Sequence, residues 1–211
     1  MMRPTRPVEV EITVRGSRFL ARLDRADAAA EAARIRDRRA EAHRDATHHC
    51  WARRTWSEGT IEGAGFDAGE PAGTAGRPIL GALERAELVQ AVCVVSRWFG
   101  GTKLGTGGLV RAYGGAARTA VESARQAGHL EAVVRRVRFA LQYGYGTTAA
   151  VEGAIARFPV REVEAEYGER VRRIVSVPVE RAAGFEAGIS EASGGGIEVE
   201  RISDGLAPRD P

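Results

Sequence analysis

The chain has 211 residues, 44% of them hydrophobic and 28% charged, with a formal net charge of +3. That is enough apolar content for one good core or two small ones, and it excludes a disordered chain. Two cysteines without metal spacing, no signal peptide and no apolar run of membrane length lead us to expect a cytoplasmic protein with reduced thiols, no resident cofactor and no membrane partner.

Val8 to Val14 alternates apolar with charged and polar residues, Arg15-Gly16-Ser17 turns, and Arg18 to Leu23 follows, so a hairpin is expected first. Asp24 is placed to cap the Ala- and Arg-rich helix that runs to about Ala42, whose charges read as a solvated face. His48 to Ala52 and Thr60 to Phe66 read as strands. His48, His49 and Cys50 invite a zinc reading, but neighbours on a strand point to opposite faces and no further ligands follow, so no metal is expected. Asp67 to Pro78 is a glycine-rich lead-in to a helix with Ile79, Leu80 and Leu83 on its apolar side, and Pro78 suits a helix start. Asp67 and Glu70 are either an acid pair for a metal or proton transfer, or acceptors for the loop's own backbone donors.

Val89 to Trp98 is nearly uncharged and long enough for a buried strand. After it, Gly100, Gly101, Gly105, Gly107 and Gly108 fall within nine residues, and Thr106 is placed to cap a helix carrying Leu109, Tyr113, Ala116, Ala120 and Val121 at helical spacing. Strand, glycine loop and helix N-terminus together offer free backbone N–H groups and a positive dipole end, which suit a phosphate or carboxylate. The anion- or nucleic-acid-binding set expected here is Arg77, Arg97, Gly100, Gly101, Lys103, Gly105, Thr106, Gly107, Gly108 and Arg111. Lys103 is the only lysine among 31 basic side chains, consistent with a spot that wants a compact ammonium rather than arginine's planar fork. The loop matches no ATP or dinucleotide fingerprint. Gly114 and Gly115 each cost about 1 kcal/mol inside the helix, so either a loop or ligand backbone approaches closely at Gly115 or Gly114 lets the helix pack tightly on the sheet.

From Val133 the pattern changes. Val133 to Gln142 is strand-like, Thr147 to Phe158 helical, Val160 to Tyr167 and Arg170 to Val179 are strands about Gly168-Glu169, Ala182 to Ala192 is helical and Ile197 to Ile202 is a last strand. The order β-α-β-β-α-β is the ferredoxin-like arrangement, predicting a second domain over 133–204 and a frayed tail from Gly205 to Pro211.

Three stretches together resemble the IMPACT/YigZ family: Ala46 to Ala52 (Ala-Thr-His-His-Cys-Trp-Ala), Gly69 to Leu80 and, most specifically, Arg97 to Gly114. The resemblance is strong over residues 8–128 and looser beyond. It implies an α+β protein whose first domain, 1–128, has the ribosomal-protein-like βαβ fold, followed by a domain similar to a late domain of elongation factor G. Eukaryotic members regulate translation initiation through a partner system that does not transfer to a bacterial-type chain of two domains; for bacterial members the resemblance implies an RNA or ribosome contact. Members carry a second acid before the Gly-Glu-Pro step and a serine after it, where this chain has Ala68 and Ala72. That departure weakens acid–base or metal chemistry at the loop and leaves backbone anion binding untouched.

The expectation is therefore a translation-associated regulatory protein that binds RNA or the ribosome through the glycine-rich basic loop, with no catalytic residues. The alternatives are an enzyme acting on a phosphorylated or carboxylate-bearing small molecule, with Asp67 or Glu70 as base, and a protein-binding adaptor in stress or translation control.

Overall fold

The computed structural model describes residues 1–211 apart from positions 58, 193, 195, 210 and 211, and divides into two units, Met1–Val133 and Val134–Pro211. The chain is mixed α/β, with two antiparallel sheets and five α-helices among the described residues.

In the first unit, β2 (Val8–Val14), β3 (Ser17–Arg25), β4 (His48–Ser57), β5 (Thr60–Phe66) and β6 (Ala91–Trp98) form a sheet in the order β2-β3-β6-β4-β5. Central β6 is apolar on both faces because both are covered. Ala91, Cys93 and Val95 face a core shared with α2 (Gly76–Arg85) and α3 (Gly105–Gln126), whereas Val92 and Val94 face α1 (Ala29–Ala42) through Ala32 and Ile35. Side-chain alternation along a strand thus divides one run of β-branched and small residues between two cores. Leu109, Tyr113, Ala116, Ala120 and Val121 all lie buried along α3, as their spacing predicts.

Two helix starts differ from expectation. Asp24 does not cap α1: it lies in β3, where its carboxylate accepts from Arg22 and from the Arg25 N–H. The helix begins at Ala29, and Glu31 reaches back past the N-cap Ala28 to accept the Asp27 N–H. Thr106 does not cap α3, because the helix begins one residue before it, at Gly105, after Leu104 already in helical conformation.

A strand that sequence reading did not expect, β1 (Met2–Pro4), pairs with Leu130 to Ala132 at the start of β7 (Leu130–Tyr143). Arg3 is buried there, donating to Glu131 at 2.6 Å and to Gln90 at 3.0 Å.

In the second unit β7 continues, followed by α4 (Thr148–Ile155), β8 (Arg161–Tyr167), β9 (Val171–Pro178), α5 (Ala182–Ala192) and β10 (Ile197–Pro208). β9 sits between β7 and β8 while β10 takes the other side of β7, which is the split βαβ arrangement. Phe139, Leu141, Val175, Phe185 and Ile189 make up the centre of its core. The last strand runs to Pro208, correcting the tail expected from Gly205; cross-strand pairing overrides the poor strand propensity of Asp204 and Gly205, and Arg135 and Arg201 both bind Asp204. Positions 210 and 211 of that tail lie outside the described residues. No helix among the described residues is long and apolar enough to cross a membrane.

Candidate anion-binding cleft at the glycine loops

The loop between β5 and α2 is closed on itself by Asp67. One carboxylate oxygen accepts from Gly73 N–H (2.7 Å) and the other from Ala75 and Gly76 N–H (2.9 and 2.8 Å), so a residue eight positions upstream caps α2. Burial alone would raise the Asp67 pKa, but the three backbone donors outweigh it and hold the carboxyl below its usual range. Gly76 is required for contact with the sheet, since a Cβ there would lie 2.2 Å from Phe66 N. Ala68 carries the loop through a left-handed φ of +46°, a conformation that favours glycine or asparagine.

Glu70 turns inward. Its side chain is 4% exposed, and one oxygen accepts from Arg97 Nη1 (2.6 Å) and from the Tyr113 hydroxyl (2.8 Å). Burial pushes the Tyr113 phenol far above its ordinary value and the Cys50 thiol up to about 12, so neither is a nucleophile at neutral pH. Cys50 donates to the Asp67 carbonyl instead. Of the two roles open to the acids, Asp67 takes backbone donors and Glu70 serves as counter-ion to a buried arginine. The two do not face a shared cavity.

The loop between β6 and α3 is arranged in the opposite sense. Its first step is packed: Thr47 accepts the Phe99 N–H, Ser17 accepts the Gly100 N–H, and a Cβ on Gly100 would fall 1.9 Å from the Gly16 carbonyl carbon. Gly100 is therefore a packing glycine. Beyond it, Gly101 (φ +85°) and Gly105 (φ +68°) border open space, and Leu104, just before α3, makes no side-chain cap hydrogen bond.

A cleft of about 290 Å³ opens here, lined by Lys103, Gly105 and Thr106 from this loop, Glu70 and Pro71 from the other, and Arg97 between them. Lys103 is exposed and makes no ion pair among the described residues. Arg97 lies along the cleft wall with its side chain 7% exposed; Nη1 is taken by Glu70 and Nη2 lies 3.4 Å from the Ser17 hydroxyl, while buried Nε has no partner among the described residues. Buried donors are nearly always matched, and this one belongs to a residue that lines the cleft beside the start of α3.

The expected ligand set is thus divided. Arg97, Lys103, Gly105 and Thr106 come together, with Gly107 and Gly108 in the first turn behind them. Arg111 lies apart, beside Arg15, Ile12 and Val14, in a depression that Gly108 also lines, and Arg77 borders a separate groove between α2 and α3. Sequence reading missed Arg85 and Arg118, which border the same groove as Arg77. A signal for them existed: residues 71–121 carry six cations and only two carboxylates, Glu84 and Glu87. A close approach at Gly115 is not found: a Cβ there would make only ordinary contacts at 3.8 and 3.9 Å, and one on Gly114 would make an ordinary contact with Pro78 of α2 at 3.5 Å and a tighter one with Arg118 Nη1 at 3.3 Å.

His48 and His49 diverge as neighbours on a strand do, with His48 Nδ1 3.0 Å from the Ala68 carbonyl and His49 Nδ1 2.8 Å from the Ser96 hydroxyl. Burial lowers the His49 pKa and favours the neutral ring. Among the described residues no group of three or more His, Cys, Asp or Glu side chains is placed to hold a metal.

Comparison with known proteins places this geometry in a family. Residues 15–121 match the model of the Impact N-terminal domain. A Haemophilus influenzae protein named "IMPACT family member" is 31% identical over 203 residues, 96% of this chain and 97% of its own. The Escherichia coli protein "IMPACT family member YigZ" is 33% identical over 207 residues, 95% of this chain and 97% of its own. A crystal structure described as that of a hypothetical protein superposes with a TM-score of 0.64 at 29% identity, covering 96% of this chain and 97% of that one.

Proposed function

The chain belongs to the IMPACT family, and from that premise we propose that its first unit binds RNA, free or within the ribosome, as a cytoplasmic regulator acting on translation. One observation carries the reading: Arg97, whose buried Nε has no partner among the described residues, lines one cleft with Lys103 and the first residues of α3. A phosphate oxygen there would receive backbone N–H groups and two cationic side chains, with Glu70 holding the arginine in place. The acid–base alternative has less support, because Glu70 is already bound to Arg97 and Tyr113 and Asp67 to backbone donors.

Phosphate contacts make affinity fall with salt, each removing roughly 0.7 to 0.9 from the logarithmic slope. Affinity for purified ribosomes and for a structured RNA is to be measured from 50 to 300 mM salt, on the order of the range where such losses are large. Binding that weakens steeply, with Lys103→Ala lowering the slope by about one contact, supports the reading. Absence of binding at low salt, or a flat series, overturns it. Capture of a protein partner that survives nuclease treatment, with no RNA affinity, would favour an adaptor instead.

A further inference from the structure

The groove between α2 and α3, about 640 Å³, is built from a pattern repeated on both helices. On α2, Gly81 precedes Arg85 by four residues; on α3, Gly114 precedes Arg118 by four. Side chains four apart share a helix face and lean towards the N-terminus, so each arginine folds back over its glycine. The distances show it: a Cβ on Gly81 would lie 3.3 Å from Arg85 Nη1, and one on Gly114 would lie 3.3 Å from Arg118 Nη1. The missing side chains make room for guanidinium groups within the groove. Arg77 stands at its border, Pro78, Leu80 and Val110 give apolar surface, and Glu84 is its one carboxylate. Arg77, Arg85 and Arg118 are exposed and make no ion pair among the described residues.

We propose that this groove holds the backbone of a single RNA strand that continues from the cleft, with Arg85 and Arg118 on successive phosphates and Leu80 and Val110 against ribose or base faces. The proposal rests on the reading that this unit binds RNA. Cleft and groove are lined by neighbouring stretches of chain: Pro71 lines one and Gly73 the other, as do Leu109 and Val110. Guanidinium forks pair with phosphate oxygens two at a time, which a groove lined by three arginines and one carboxylate leaves them able to do. An apolar surface between the cations selects a strand with exposed bases over a duplex, whose base faces are stacked away.

The test uses the full chain with a labelled uridine 12-mer, the same 12-mer in a duplex, a uridine dinucleotide and a glutamate 12-mer peptide. In Arg85→Gln/Arg118→Gln the slope of log affinity against log salt for the single strand should fall by about 1.4, two contacts' worth, with roughly tenfold weaker binding at 100 mM salt. Dinucleotide binding, confined to the cleft, should be unchanged. Gly81→Ala, which displaces the Arg85 head, should raise the melting temperature yet weaken 12-mer binding, a pairing that damage to the fold does not produce. If the double variant keeps wild-type affinity and slope while Lys103→Ala loses both, the groove proposal fails and the cleft reading stands. If the wild type binds neither the 12-mer nor ribosomes at low salt, both fail. Equal affinity for the duplex or the glutamate peptide also overturns the assignment to single-stranded RNA.

Discussion

The two glycine loops of the first unit lead into helices in the same way and differ in what fills them. Between β5 and α2 the chain supplies its own anion, Asp67, and closes the helix start against the sheet through Gly76. Between β6 and α3 no carboxylate among the described residues accepts from the loop's backbone, and Glu70, which lines the cleft, is engaged by Arg97 and Tyr113. Glycine density therefore has two causes in one protein. In one loop it permits close packing; in the other, past Gly100, it leaves backbone donors open.

Substitutions can break or sharpen that contrast. The largest effect is expected at Glu70, which neutralises Arg97 inside the protein: Glu70→Ala should cost about 3 to 5 kcal/mol in chemical denaturation, because it strands a buried charge. A loss below about 1 kcal/mol would mean that the Arg97 head escapes to solvent. Next comes a matched pair. Gly76→Ala drives a Cβ into Phe66 backbone and should destabilise by about 3 kcal/mol, whereas Gly101→Ala meets nothing and should cost only about 1 to 2 kcal/mol of backbone strain. Equal losses would erase the distinction between a packed and an open loop.

Asp67→Ala should cost about 1 to 2 kcal/mol at neutral pH, the range of a lost helix cap. The folded pKa is depressed, so this contribution is complete above the ordinary value of 3.8 and fades as pH falls below it; wild type and variant should converge in acid denaturation curves. The smallest effect is a gain. Ala68→Gly, which relieves a left-handed alanine, should add about 0.5 to 1 kcal/mol, and a loss there would show that the alanine methyl is packed.

Much of the fold was legible because its patterns are local. The period-2 alternation of β2, the helical spacing on α3 and the order of elements after Val133 each lie within one segment. β1 was not legible: its three residues pair with Leu130 to Ala132, about 130 positions away, and Met2 bridges to Leu88, so none of its partners is local. The end of β10 was missed for the same reason, since pairing with β7 carries it through Asp204 and Gly205.

At the site, the open part of the β6–α3 loop was visible because Lys103, Gly105 and Thr106 are adjacent in sequence. The burial of Arg97 was legible from alternation, since it continues the series Ala91, Cys93, Val95, all facing the core beneath α2 and α3. Glu70 could not be read the same way, because its partners are 27 and 43 residues distant. Arg77 and Arg111 were grouped with the loop by charge alone, and only helix packing assigns them to other depressions.

Because Lys103 is the chain's sole ε-amine, amine-directed chemistry has a single side-chain target, and that target lines the cleft. An acylating reagent adds one group at Lys103 and at most one more at the terminal amine, so intact mass alone reads how accessible the cleft is. Any occupant of the cleft would register as protection of one nitrogen atom, and acetylation there would abolish the cation without altering another side chain.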